Sequence, residues 1–330
     1  MKTVLSSRIR LARNYEDLPF DVTNKPASAD MCIARTMNAL KLSGADDGFH
    51  LLHLAHVPQE ELTLLQESHL ITADLITRKE TAAVLLNEDK GISLMMNEED
   101  HLRLQARASG NDLRTAADHC FRLEDALSQQ VSFAFDHQLG YLTAYPTNTG
   151  TGMRASLLVH LPLLSMGKQM GNVGQIVAKV GLNIRGVYGE GQEALGYLYQ
   201  VSNQVTLGRT EQELIATLTA VGQQLSDMEA ALGEKELSER RLQLEDRVYR
   251  AWGTLCNARF MSLNEFYRRW SNLRLGIALH LLPLSYEEID PLLEQVQEAH
   301  LCAWAEKSLS DDELDAARAS YLRRMIAHQG

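Results

Sequence analysis

The chain carries strand-like apolar patterns over Thr3–Arg13, Thr81–Leu86, Ile92–Met96 and Leu102–Ala108. Turn residues Asn87, Asp89 and Gly91 separate two of these runs, and the last three read as an antiparallel meander. Amphipathic spacing over Ser28–Leu42, Gln59–His69, Asp112–Ser128 and Gly174–Val180 predicts helices between the strands. Pro58 is well placed to start the second helix. This alternation predicts a mixed α+β domain.

The pattern changes at Thr210. Thr210-Glu211-Gln212-Glu213 reads as a capping box, with the threonine side chain capping and Glu213 reaching back. Helical spacing continues through Leu214, Leu218, Val221 and Leu225, and glycine and β-branched residues thin out. The segment 234–249 is dense in Glu and Arg at helical offsets, the pattern of a solvated helix face. The expected division is 1–209 and 210–330, and the 330-residue length suits two domains.

Hydrophobic residues make up 45% and charged residues 23%, a mix that can bury a real core. The 32 Lys and Arg against 43 Asp and Glu give a net charge of −11, which argues against a nucleic-acid partner. The longest apolar runs, such as Leu157–Leu164, are broken by His160 and Pro162 and are too short for a bilayer. The N-terminal run lacks the apolar stretch of a signal peptide, so the expected setting is soluble and cytoplasmic, with no membrane partner. Cys32, Cys120, Cys256 and Cys302 form no CxxC pair and no Cys/His cluster, so reduced thiols and no protein-built metal site are expected.

Five arginines lie within or beside turn-forming motifs of the first domain. Arg8 and Arg10 stand at i and i+2 on one predicted strand, hence on one face. Arg103 follows Asn97-Glu98-Glu99-Asp100-His101, Arg154 closes Gly150-Thr151-Gly152-Met153-Arg154, and Arg185 opens Arg185-Gly186-Val187-Tyr188-Gly189-Glu190-Gly191. Guanidinium groups contact phosphate oxygens bidentately and stay charged. Carboxylates beside two of these runs suggest a site that holds an anion and a cation together. That combination fits phosphoryl transfer from a nucleotide, where fixed positive charge stabilises the transition state. The chain has no GxxxxGK[ST] loop and no HRD/DFG set, so neither standard ATP site applies.

These motifs, with Pro146-Thr147-Asn148-Thr149 ahead of Gly150, resemble the ATP:guanidino phosphotransferase family from about Val4 to the C-terminus. Ser202-Asn203-Gln204-Val205-Thr206-Leu207-Gly208 and Leu244-Glu245-Asp246-Arg247-Val248-Tyr249-Arg250 are similar to the bacterial branch that phosphorylates arginine side chains of proteins. The resemblance implies an antiparallel sheet flanked by helices, followed by an all-helical C-terminal domain that dimerises and binds phosphoarginine. It implies ATP and Mg²⁺, protein substrates with exposed arginine that are marked for stress-response regulation, an activator protein and a Clp-type protease. Ser6, Ser7, Arg8, Ile9, Arg10, Arg103, Arg154, Ala155, Ser156, Leu157, Leu158, Arg185, Gly186, Val187, Tyr188, Gly189 and Glu190 match its nucleotide-phosphate segments. His69 matches a nucleotide-contacting histidine, although a lone histidine also fits a structural role. Glu99 and Glu190 match the carboxylates that grip the substrate guanidinium; Glu98 and Asp100 are expected to position Arg103 and Mg²⁺, although they also fit a role as plain ion-pair partners.

The chain departs from the family pattern in three places. Tyr145 stands where the family has a cysteine beside the guanidinium, and a phenol can hydrogen-bond but is not a thiolate. The phosphoarginine motif, Arg-Asp-x-x-Arg-Ala in the family, reads Leu314-Asp315-Ala316-Ala317-Arg318-Ala319. Only five residues precede Ser6, whereas small-guanidino kinases carry a helical domain there. The alternative is a degenerate pseudokinase or adaptor that binds nucleotide or phosphoarginine, resting on Tyr145 and Leu314.

Overall fold

Eight strands hydrogen-bond into one antiparallel sheet in the computed structural model, which describes residues 1–20, 26–89, 91–187 and 194–326. In chain order the elements are β1 (Val4–Arg13), α1 (Pro26–Ser43), β2 (Phe49–His53), α2 (Gln59–Glu67), α3 (Ala73–Thr77), β3 (Ala83–Asn87), β4 (Ile92–Met96), β5 (Leu102–Ser109) and α4 (Leu113–Ser128). A two-stranded ribbon follows, β6 (Phe135–Asp136) with β7 (Gly140–Tyr141). Then come β8 (Met153–His160), α5 (Pro162–Met166), α6 (Met170–Lys179), β9 (Leu182–Gly186) and β10 (Leu198–Asn203). The sheet order is β2-β3-β4-β5-β1-β8-β10-β9, so the arginine strand β1 lies in the middle with β5 and β8 on either side.

Strand alternation gives the two faces different work. One face carries Ile9, Leu11, Leu85, Leu94, Leu104, Ala106, Ala155, Leu157 and Val201, all buried in the largest core with residues of α1 and α4. The other face is apolar only at its two ends. At one end Val84, Leu86 and Met95 pack with Leu62, Leu65 and Leu75 of α2 and α3. At the opposite end Leu198 packs with the C-terminal core around Phe266 and Trp270, with Leu5 and Leu158 against it. Between these two apolar clusters lies a strip of polar residues from β5, β1, β8 and β10.

The rest of the chain is helical: α7 (Glu211–Asn257), α8 (Leu263–Ala278), α9 (Tyr286–Ile289), α10 (Leu292–Gln295), α11 (Glu298–Ala305) and α12 (Asp311–Ile326). The capping box at Thr210 is present in both directions, Glu213 N–H to Thr210 Oγ1 and Thr210 N–H to Glu213 Oε2. Helix α7 is 47 residues long and departs from helical geometry at Arg240, φ −142° and ψ 36°. Its first half contributes Leu214, Leu218, Val221 and Leu225 to the sheet core, and its second half contributes Val248 and Leu255 to the C-terminal core. No described helix is long and apolar enough to cross a membrane.

Candidate active site

The turn between β4 and β5 is built to hold Glu99. Asn97 adopts φ 65°, and its N–H donates to the His101 carbonyl at 2.9 Å, closing the turn. The Asn97 side-chain amide donates to the Ala29 and Thr81 carbonyls. His101 N–H donates to Asn14 Oδ1, and its Nδ1 accepts from the Tyr15 N–H at 3.0 Å. Asn97, Glu98, Asp100 and His101 are buried, and Glu99 alone among the five is not. Burial, then Glu98, raise the Glu99 carboxyl above the usual carboxylate range, with Arg103 opposing. A raised value suits a proton acceptor.

The neighbouring acids do other work. Glu98 Oε2 accepts from Arg103 Nη1 at 2.5 Å, its other oxygen accepts from Thr72 Oγ1, and its carbonyl accepts from Arg78. Glu98 therefore fixes the direction of Arg103. Asp100 Oδ1 accepts from Asn14 Nδ2 and from the Ala144 N–H, each at 2.6 Å. It ties the Glu99 turn to the Tyr145 loop.

The polar strip of the sheet is an arginine array. On β1, Arg10 stands between Gln105 of β5 and Arg154 of β8, and Arg8 stands between Arg107 and Ser156. Arg103 lies on the same face of β5, and Gln200 of β10 faces Arg185 of β9. Burial, then Arg8, Arg103 and Arg154, hold the Arg10 guanidinium well below its ordinary pKa. Arg10 Nε is buried without a hydrogen-bond partner. An uncompensated buried donor among like charges is costly, and a polyanion would satisfy it. Arg154 is held by Asn148 Oδ1 at 3.1 Å and the Asn203 carbonyl at 3.2 Å. Burial, then Arg185, lower its pKa, and Glu99 acts in the opposite sense.

These side chains line three clefts along the strip. Glu99, Arg10, Arg103, Arg154, Arg185, Asp74, Tyr145 and Asn148 line one of about 440 Å³. Arg8, Arg10, Arg103 and His69 line another of about 360 Å³. The third, about 510 Å³, runs from Ser6, Arg8, Ser156 and Leu158 past His69 and Val187 to the C-terminal helices. His69 takes φ 57° just past the end of α2, and burial, then Arg107, push its pKa down to about 4. Its imidazole is therefore neutral beside the arginines.

Loop 143–152 closes the site. Asn148 N–H donates to the Tyr145 carbonyl, and Thr206 Oγ1 donates to the Thr147 and Thr149 carbonyls. Gly150 takes φ 117°, and a Cβ there would meet the Thr206 carbonyl oxygen at 2.4 Å, so the fit requires glycine. Tyr145 is 49% exposed and lines the Glu99 cleft.

The sequence-derived set needs correction on the strands. Ile9, Ala155 and Leu157 are buried in the core on the opposite face, and Ser7 Oγ bonds to Gly110 and Asp112 there. Period-two alternation removes these four from the clefts. Gly186 is exposed at the end of β9. Tyr188, Gly189 and Glu190 lie outside the described residues. Sequence reasoning missed Arg107 and Gln200. The alternation Arg103, Gln105, Arg107 along β5 was the available signal for the first.

In the C-terminal region, Leu314 is buried on α12. Arg318 is buried too, and it donates from Nε to the Val296 carbonyl and from Nη1 to the Met261 carbonyl and Asp315 Oδ1. Ala319 is packed in the C-terminal core. Those two donors of Arg318 are committed to holding α12 in place.

Fold and site together give an arginine-lined cleft with an open carboxylate on an antiparallel sheet. Residues 31–232 match the ATP:guanido phosphotransferase C-terminal catalytic domain, and residues 241–329 match the protein-arginine kinase McsB C-terminal domain. The chain belongs to the ATP:guanido phosphotransferase family. It is 42% identical over 98% of its length to the protein-arginine kinase of Symbiobacterium thermophilum, covering 93% of that protein. It is also 42% identical over 98% of its length to that of Moorella thermoacetica, covering 94% of it. Among solved structures, lombricine kinase aligns with TM-score 0.62 and 26% identity, over 71% of this chain and 68% of that one. The duplicated taurocyamine kinase of Schistosoma mansoni shares the fold, with TM-score 0.63 and 24% identity over 78% of this chain and 39% of that one.

Proposed function

We propose that the protein transfers the γ-phosphoryl group of ATP to arginine side chains of proteins. The observation that carries this reading is Glu99, the one side chain of a buried turn left open, in the same cleft as Arg10, Arg103, Arg154 and Arg185. Phosphate oxygens would lie against the arginine strip, with Arg10 Nε as a waiting donor. The incoming guanidinium would lie against Glu99. A guanidinium becomes nucleophilic only when a carboxylate orients it and takes a proton. Its nitrogen then bonds to the γ-phosphorus, the bond from that phosphorus to the bridging oxygen breaks, and ADP leaves with the electron pair. Relatives named protein-arginine kinase, matched over nearly the whole chain, support a protein substrate.

The donor set fits a nucleotide-borne Mg²⁺. Glu98 and Asp100 are committed elsewhere and Glu99 faces the guanidinium, which leaves the exposed Asp74 as the free carboxylate of the cleft. Mg²⁺ needs only one or two carboxylates beside substrate phosphates, where it neutralises charge. Incubation with ATP, Mg²⁺ and an arginine-rich protein should yield acid-labile protein phosphate. No such phosphate, with ATP still bound, would favour the adaptor reading.

A further inference from the structure

Arg107 adds an arginine to the strip beyond the five read from the sequence motifs, and it is already engaged by the C-terminal region. It stands directly opposite Arg8 across the β1–β5 ladder, where like charges destabilise each other. Its Nη1 donates to the Ser68 carbonyl at 2.9 Å, and its Nη2 donates to Glu294 Oε1 at 2.7 Å. The two side chains are 28% and 32% exposed. Arg107 lies in the part of the chain that matches the catalytic domain, and Glu294, on α10, in the part that matches the C-terminal domain. A second clasp lies nearby. The Glu67 carboxylate accepts the Ala299 N–H at 2.9 Å, the His300 N–H at 3.2 Å and His300 Nδ1 at 2.9 Å. Between the clasps, Arg8, His69 and Arg107 face Asp290, Leu293 and Glu294 across the 510 Å³ cleft. The C-terminal helices thus form one wall of a cleft whose other wall is the arginine strip.

We propose that Arg107 is a sixth arginine of the nucleotide-binding face and that Glu294 is an internal anion on it, so that nucleotide and the segment 292–300 compete for one guanidinium. This rests on the nucleotide-binding reading above. A phosphate drawn to Arg8 and Arg107 displaces the Glu294 carboxylate, which loosens α10. By linkage, whatever releases Glu294 tightens nucleotide by the same factor. The C-terminal helices would then report occupancy of the cleft without touching the Glu99 centre.

Titration calorimetry with ADP and Mg²⁺ on the full chain tests this. Glu294→Gln should bind ADP about two- to fivefold more tightly than the parent, the effect of removing a partly exposed competing charge. Arg107→Leu should weaken ADP binding by about tenfold or more. Hydrogen exchange on the unaltered chain should speed up across 292–300 when ADP and Mg²⁺ saturate it. Unchanged or weaker binding by Glu294→Gln overturns the inference, as does unchanged binding by Arg107→Leu or unchanged exchange. A parent chain that binds no ADP overturns the kinase reading with it, whereas ADP binding indifferent to both substitutions overturns the inference alone.

Discussion

Asp100 Oδ1 accepts the backbone N–H of Ala144 at 2.6 Å, joining the turn that presents Glu99 to the loop that presents Tyr145. The same oxygen holds Asn14, so one buried carboxylate fixes three pieces of chain. Burial raises the Asp100 carboxyl above its ordinary value, and the two donors oppose that. Asp100→Ala leaves two donors unpaired at about 1–3 kcal/mol each. We expect a lower melting temperature and a fall in kcat with KM for ATP nearly unchanged. Asp100→Asn, which keeps an acceptor oxygen, should recover most of the loss.

Glu99→Gln keeps the shape of the side chain and removes the base. Turnover should fall by about 10²–10⁴, and ADP affinity measured by calorimetry should change little. Equal losses in both would make Glu99 a structural residue.

Arg10 is costly to the fold. It is half-buried among arginines with its Nε buried and unpartnered, so Arg10→Met should raise the melting temperature in the absence of nucleotide. The same change should weaken ATP binding by roughly 1.5–3 kcal/mol, the worth of a charge-assisted contact. A variant that loses stability along with affinity would show that the array is held by the protein itself.

Tyr145 uses its backbone carbonyl, not its ring, to hold the loop, through Thr143 and Asn148. Tyr145→Cys should therefore fold normally, and arginine phosphorylation should rise if a thiol is what the site lacks. Reduced phosphorylation would show a pocket fitted to the phenol. Thiol-alkylating reagents should leave the parent's activity intact. Cys32 and Cys120 are buried, burial pushes the Cys32 thiol up to about 12, and neither Cys256 nor Cys302 lines the three clefts of the arginine strip.

Glu229 of α7 is fully buried, and its carboxylate accepts the Leu163 and Leu164 N–H groups at the start of α5. Burial pushes its pKa up to about 7 from an ordinary 4.5. A raised folded-state value means that the stabilising contribution is complete below pH 4.5 and lost as pH rises through 7. Glu229→Gln is neutral throughout, so its stability relative to the parent should climb across that window by up to about 3 kcal/mol. A pH-independent difference between the two would contradict this.

The parts of the fold legible in the sequence are those whose signals are local. The strands at Ile92–Met96 and Leu102–Ser109 and the helices at Gln59–Glu67 and Leu113–Ser128 were predicted within a few residues. The helix expected at Gly174 starts at Met170 because Gly171 and Gly174 hide its first turn, although Val173 and Val177 are buried at helical spacing. Strands β2, β9 and β10 gave no clear periodicity, because β2 is a half-exposed edge and β10 is buried on nearly every residue. At the site, motifs identified the arginines, but only the sheet register shows which residues share a face. That register brings in Arg107 and sends Ile9, Ala155 and Leu157 into the core. The contact between Arg107 and Glu294 joins residues 187 positions apart, and no local pattern encodes it.

Helix α7 has a practical consequence for anyone cutting this chain. A fragment ended at residue 209, where the composition shifts, would strip the sheet of Leu214, Leu218, Val221 and Leu225 and leave an oily trench behind it. Ending instead at 232, where the catalytic-domain match stops, keeps those four side chains on the sheet and Glu229 on the start of α5. The short fragment should precipitate and the long one should stay in solution, because about the first six turns of the rod belong to the sheet that they lie on, whatever their composition suggests.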